Sequence, residues 1–337
     1  MRFRIVGLVG LAAALAAVAV APEVGAQPAA SKLTWAYGHD VRVRKGGNPD
    51  FGPDTPKYGV EFYKDDSDTA ANGIIAASQA GNLAVVPSVP VGADKKATWL
   101  FAHDLRARKG DVVKFENATK FGVEAYKDLA TNKLLYVSET ASIALADAPA
   151  TIGTEKEPTW HHGLTVKVRK AKDAKFDDAT QKFGVEVFKD GNTGGLIYIC
   201  DTGAIATAPA PAQAPASDKV KAPTALHGLT LKVRKADEFE FGPNTKVYGV
   251  EVFRDENTGG LIYISETGSI ATVPPSADAK TGLGVSWKHS LLLRARPGGV
   301  NEFAKANKYG VEAYLDKNTG YTIYISETGS IAVLPKK

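Results

Sequence analysis

Tryptophan and histidine recur along this chain at near-regular intervals, and they are the residues best suited to bind something. Trp35, Trp99, Trp160 and Trp287 each open a similar stretch, with Ala225 in the remaining slot. A histidine follows each: His39, His103, His162, His227 and His289, spaced 64, 59, 65 and 62 residues apart. An indole beside an imidazole offers a sugar-stacking platform once per repeat, and these nine side chains are the candidate ligand-binding residues. The plainer reading makes each tryptophan the aromatic anchor of a small core. Five imidazoles form a metal set only where a ring gathers them; singly, each is a packed or capped residue.

Acidic residues give one further candidate. Asp255, Asn257 and Glu266 fall at positions 1, 3 and 12 of a calcium-type loop, with Gly260 at position 6. Position 5 is Gly259, which brings no ligand, and the second half of the loop reads as a strand that would carry Glu266 away from Asp255. A tight turn therefore explains Asp-x-Asn-Thr-Gly better than a metal does. Cys200 is the single cysteine, so no intrachain disulfide forms, and it occupies a slot filled by Ser138, Ser265 and Ser326 in other repeats.

Motifs for nucleophilic catalysis, phosphate cradling and zinc hydrolysis are missing from the chain. Polar residues instead return by register, which suits a scaffold or a multivalent binder rather than one irregular catalytic site. No cofactor is expected. Lys and Arg total 41 against 37 Asp and Glu, a balance too even for a nucleic-acid partner. Residues 1–26 read as a secretory signal: Arg2 and Arg4 precede an apolar run, and Val24-Gly25-Ala26 offers a cleavage site. Removing them lowers the net charge from +4 to +3 and leaves no segment apolar enough to span a membrane. The expected location is secreted or periplasmic.

The elements that must position these residues are strands. Leu229, Leu231 and Val233 alternate with Thr230, Lys232 and Arg234, a half-buried strand with a basic outer face. An aromatic-Gly-Val-Glu step forms the second strand, ending at Glu61, Glu124, Glu186, Glu251 and Glu312. Leu261 to Ser265 and Ser269 to Val273 make a third and a fourth, joined by short Asn/Gly turns. Arg234 and Glu251 are read as a charge pair across neighbouring strands of one sheet. The loop between strands one and two carries Phe51, Phe115, Phe176, Phe241 or Phe303, each expected to cover its own sheet.

The fold class is all-β: five tandem repeats, each a four-stranded antiparallel meander. They run over 34–87, 98–146, 159–208, 224–274 and 286–335, with an Ala/Pro linker at 209–223. The first repeat is degenerate at its end, Ala76-Ala77-Ser78-Gln79-Ala80-Gly81. The long Ala/Pro joints favour small modules on a string; a five-bladed β-propeller is the alternative. The expected function is multivalent, non-catalytic binding of glycans or envelope polymers. Alternatives are a structural or spacer protein making protein–protein contacts, and an enzyme on a propeller.

Overall fold

The apolar run Leu261–Ser265 is buried at every residue. Strand side chains alternate between faces, so such a run must be covered on both sides. That requirement organises the whole molecule. The computed structural model describes residues 32–67, 72–112, 114–153, 156–209, 220–276 and 280–336. The signal segment 1–26 and most of the linker 209–223 lie outside these residues.

Among the described residues, twenty strands form five four-stranded antiparallel meanders. The first contains β1 (Leu33–Arg42), β2 (Lys57–Asp65), β3 (Gly73–Ser78) and β4 (Leu83–Pro87). The second contains β5 (Ala97–Ala107), β6 (Thr119–Asp128), β7 (Lys133–Ser138) and β8 (Ile143–Asp147). The third contains β9 (Thr159–Val168), β10 (Gln181–Lys189), β11 (Leu196–Cys200) and β12 (Ile205–Ala208). The fourth contains β13 (Thr224–Val233), β14 (Lys246–Arg254), β15 (Leu261–Ser265) and β16 (Ile270–Val273). The fifth contains β17 (Val285–Ala295), β18 (Asn307–Asp316), β19 (Thr322–Ser326) and β20 (Ile331–Leu334).

The last strands of the sheets meet one another in a closed circuit: β4 packs on β8, β8 on β12, β12 on β16, β16 on β20, and β20 on β4. The five sheets are therefore the blades of a propeller, with the fourth strand of each innermost and the first outermost. The expected fold class holds, and the arrangement is the ring rather than the string of modules.

Two features that favoured the string have plain causes. The Lys/Arg face belongs to an outer strand, which needs covering on one side only. Each joint must also travel from the inner strand of one blade to the outer strand of the next. That crosses three strand spacings, about 14 Å, or about four or five extended residues, so joints of this length are compatible with a closed ring. The joints are pinned as they cross: Gly92 N–H donates to the Ala130 carbonyl, and Gly153 N–H to the Asn192 carbonyl.

Each of the five apolar cores is shared by two neighbours. Leu231, Val252 and Tyr263 of the fourth blade pack with Tyr314, Ile323 and Ile325 of the fifth. Leu293, Val311 and Tyr324 of the fifth pack with Tyr63, Ile75 and Leu83 of the first, which closes the circle. A fifty-residue meander would have little core alone; the ring supplies the second half of each. The glycine of the aromatic-Gly-Val-Glu step lets the backbones approach. A Cβ on Gly184 would lie 1.8 Å from the Arg108 carbonyl oxygen, and one on Gly59 equally close to that of Arg296.

Candidate functional site

Every outer strand carries a one-residue bulge beside its tryptophan slot, at Ala36, Leu100, His161, Leu226 and Lys288. In a regular strand, residues two apart share a face; a bulge breaks that rule. Trp287 therefore faces the preceding blade, while His289 faces the following one. The repeat's aromatic and imidazole are placed on opposite sides of the sheet, and they do not form one platform.

The histidines are buried in links between blades. His39 reaches Asp128 at 3.1 Å, His103 reaches Asp190 at 3.0 Å, and His162 reaches Asp255 at 3.0 Å. His227 reaches Asp316 at 3.0 Å, and His289 returns to Asp65 of the first blade at 2.9 Å. The five histidines are not in one slot. His39 and His103 pair across their sheets with Val60 and Val123, where the last three blades have Leu164, Leu229 and Leu291. His162, His227 and His289 sit one slot earlier, where the first two blades have Tyr37 and Phe101. The two positions are on the same face, so either can reach the next blade's aspartate.

Asp190, Asp255 and Asp316 open the Asp-x-Asn-Thr-Gly turn, whereas Asp65 and Asp128 carry no signal in the sequence except position: each of the five stands four residues after the motif glutamate. Asp255 shows the full set of partners. Tyr198 Oη and Thr258 Oγ1 each donate to Oδ2 at 2.9 Å, and the Asn257 amide donates to Oδ1 at 2.9 Å. Burial alone would raise the Asp255 pKa, but the His162 hydrogen bond and charge, with the turn donors, bring it down to about 2. In the first blade Ala76 replaces the strand-three tyrosine, and Tyr37 supplies a phenol to Asp128 from the other slot, at 2.6 Å. The degenerate repeat is thus compensated within its own boundary.

The calcium reading does not hold. Asp255 and Glu266 lie at opposite ends of β15. Glu266 accepts the Ala171 and Gly249 amides, while Asn257 exchanges hydrogen bonds with the Lys221 backbone and anchors the incoming joint. Among the described residues, no cluster of three or more His, Cys, Asp or Glu side chains is placed to hold a metal. Burial pushes the Cys200 thiol up to about 12, as expected for a packed residue rather than a reactive one.

Outside this layer lies the rim. Arg169 forms a bidentate pair with Glu251 of the next blade, at 2.6 and 3.1 Å. Arg44–Glu124, Arg108–Glu186, Arg234–Glu312 and Arg296–Glu61 repeat it. The pair expected within one sheet, Arg234 with Glu251, is instead two pairs, each crossing a boundary. A guanidinium on the following face of one outer strand meets a carboxylate on the preceding face of the next blade.

The same glutamates hold the tryptophans. Trp35, Trp99, Trp160 and Trp287 donate Nε1–H to Glu61, Glu124, Glu186 and Glu312 at 2.8, 2.6, 2.8 and 2.7 Å. The loop phenylalanines do not cover their own sheets. Phe303, Phe51, Phe115 and Phe241 reach over the boundary and meet Trp35, Trp99, Trp160 and Trp287 edge-on, with centroids 5.2–5.9 Å apart. Each loop ring also lies against its own blade's arginine, as Phe115 does against Arg108 at 4.4 Å. Trp35, Trp99 and Trp160 nonetheless remain 46%, 44% and 39% exposed. Beside Arg108, Gly163 and Glu186 a shallow cavity of about 210 Å³ opens. The boundary between blades three and four differs: Ala225 leaves Phe176 without an indole partner, and Phe176 is 42% exposed.

Fold and boundaries together define a five-bladed β-propeller made of contiguous blades and closed without strand exchange. No family model, no curated protein and no solved structure matches the chain.

Proposed function

We propose that this protein is an exported, non-catalytic, multivalent binder that offers four tryptophan-centred notches on the propeller rim to glycans or envelope polymers. The observation that carries the reading is the state of the indoles. Each N–H is already engaged by a buried glutamate and each ring is braced by a phenylalanine edge, while the rings of Trp35, Trp99 and Trp160 stay exposed and that of Trp287 is half-buried. A ring fixed before binding loses little freedom when a sugar face stacks on it. Repetition around a rigid ring lets individually weak contacts act together through effective concentration. The histidines, buried at the boundaries, have a structural part in this reading.

A glycan array tests it, with wild type beside a Trp99→Ala, Trp160→Ala double variant. Binding that is lost in the variant without unfolding supports the reading; no binding by wild type across the array defeats it.

A second reading is a matrix or spacer protein. The outer strands β1, β5, β9, β13 and β17 each pair on one edge only and run ten or eleven residues. Such edges can accept a strand from a partner. Concentration-dependent assembly in ultracentrifugation would favour it. Among the described residues no helix is long and apolar enough to cross a membrane.

A further inference from the structure

On the ring axis, the turns between the third and fourth strands of all five blades surround a cavity of about 280 Å³. Two tiers of side chains line it. The exposed tier is a circle of closed hydrogen bonds. Thr140, Thr202, Thr267 and Thr328 each donate Oγ1–H to the carbonyl of Gly203, Gly268, Gly329 or Gly81 in the next blade, at 3.1–3.2 Å. Where Ala80 interrupts the circle, Asn82 Nδ2 donates to the Ala141 carbonyl at 3.0 Å.

The deeper tier is not closed. Ser142 Oγ accepts the Ile205 amide at 3.0 Å, and Ser330 Oγ accepts the Leu83 amide at 2.9 Å. Both serines are at least nine-tenths buried, 6% and 3% exposed. A hydroxyl has one donor and two lone pairs. Ser142 therefore keeps an O–H with no acceptor among the described residues, and a lone pair beside it. Ser330 Oγ also accepts the Ser269 hydroxyl at 3.5 Å, and Ser269 Oγ accepts the Ile331 amide, so this pair of hydroxyls keeps one O–H to donate. A buried donor left unmade is costly, so this arrangement calls for an occupant.

The surroundings decide its charge. No ionised side chain lines the cavity, but Glu139, Asp201, Glu266 and Glu327 directly precede the four threonines. These carboxylates accept backbone amides such as Gly46 and Ala171 on the outer side of the turns. A circle of four carboxylates opposes an anion on the axis. Free O–H donors beside free lone pairs, with the Asn82 carboxamide oxygen, match a neutral molecule that both donates and accepts. The volume is just under the roughly 300–1,000 Å³ typical of pockets for drug-sized ligands, which suits one hexose unit. Ala80 and Ala204 break the fivefold pattern, so the site occurs once per ring and has one orientation.

We infer that the axial cup, with Ser142 and Ser330 as its donors and Asn82 as an acceptor, is a binding site for a single neutral sugar residue, separate from the rim notches.

Titration of the isotope-labelled full chain with glucose, galactose, mannose and N-acetylglucosamine, followed by nuclear magnetic resonance, tests this. Inorganic phosphate and acetate serve as anion probes. The expected result is saturable shifts of the Thr140–Ser142 and Thr328–Ser330 amides with at least one sugar, weakened at least about tenfold in a Ser142→Ala, Ser330→Ala variant. Alanine already occupies this slot at Ala204, so the fold accepts it. An Ala204→Leu variant, which fills the cup and removes no hydrogen bond, is expected to abolish the shifts. Turn amides that no sugar moves, a tighter response to phosphate or acetate, or unchanged binding by either variant would each overturn the inference. Shifts confined to the tryptophan indoles would support the rim notches and overturn the cup, so the two sites are judged separately.

Discussion

Arg296 in the fifth blade clasps Glu61 in the first, 235 residues back along the chain, with Nε to Oε1 at 2.5 Å and a second nitrogen to Oε2 at 3.2 Å. Glu61 is almost fully buried and also accepts the Trp35 indole. The ring is closed here without strand pairing across the seam. Glu61→Ala should therefore strand a guanidinium and an indole N–H at the seam, at a cost of about 3–5 kcal/mol. Denaturant unfolding measures it; a loss below about 1 kcal/mol would mean that the seam contributes little.

Acid should weaken the boundaries through their aspartates. Asp255 titrates at about 2 in the folded chain, below its ordinary 3.8, and Asp65, Asp128, Asp190 and Asp316 are lowered too. A carboxylate whose folded pKa is depressed adds stability above its unfolded value and loses it as pH falls through the folded one. For Asp255 that window runs from about pH 4 to about pH 2 and is worth roughly 2 kcal/mol. Asp255→Asn should be less stable near neutral pH and should show a flatter decline over this window. Equal slopes for variant and wild type would remove Asp255 from the account.

The incomplete boundary between blades three and four offers a gain rather than a loss. Ala225→Trp should place an indole against Phe176 and within reach of Glu251, as its counterparts have. Stability should rise by about 1 kcal/mol, and binding to an immobilised glycan polymer should tighten as the notches go from four to five. Destabilisation with unchanged avidity would show that the alanine is there for another reason.

Much of this structure was legible in the residues. Strand periods, turns and the number of repeats follow from local pattern, because alternation and Asn/Gly chemistry act over a few positions. The partner of each recurring residue was not legible. Arg234 looks like the neighbour of Glu251 because both sit on polar strand faces of one repeat, yet each pairs with a different blade. The bulge at His161 turns Trp160 and His162 to opposite faces, and nothing in Trp-His-His announces it. The Ala/Pro joints suggested independence because their length was weighed without the distance they must cover. Tyr37 supplying the hydroxyl missing at Ala76 could be seen only once both slots were known to face one aspartate.

Small-angle scattering of the full chain tests the closed ring most directly. A ring in which every core is shared between blades should give a globular profile with a radius of gyration of about 20 Å, the size of a compact chain of this length. A markedly larger radius, with the flat high-angle profile of beads on a tether, would contradict the ring and the boundary sites that depend on it.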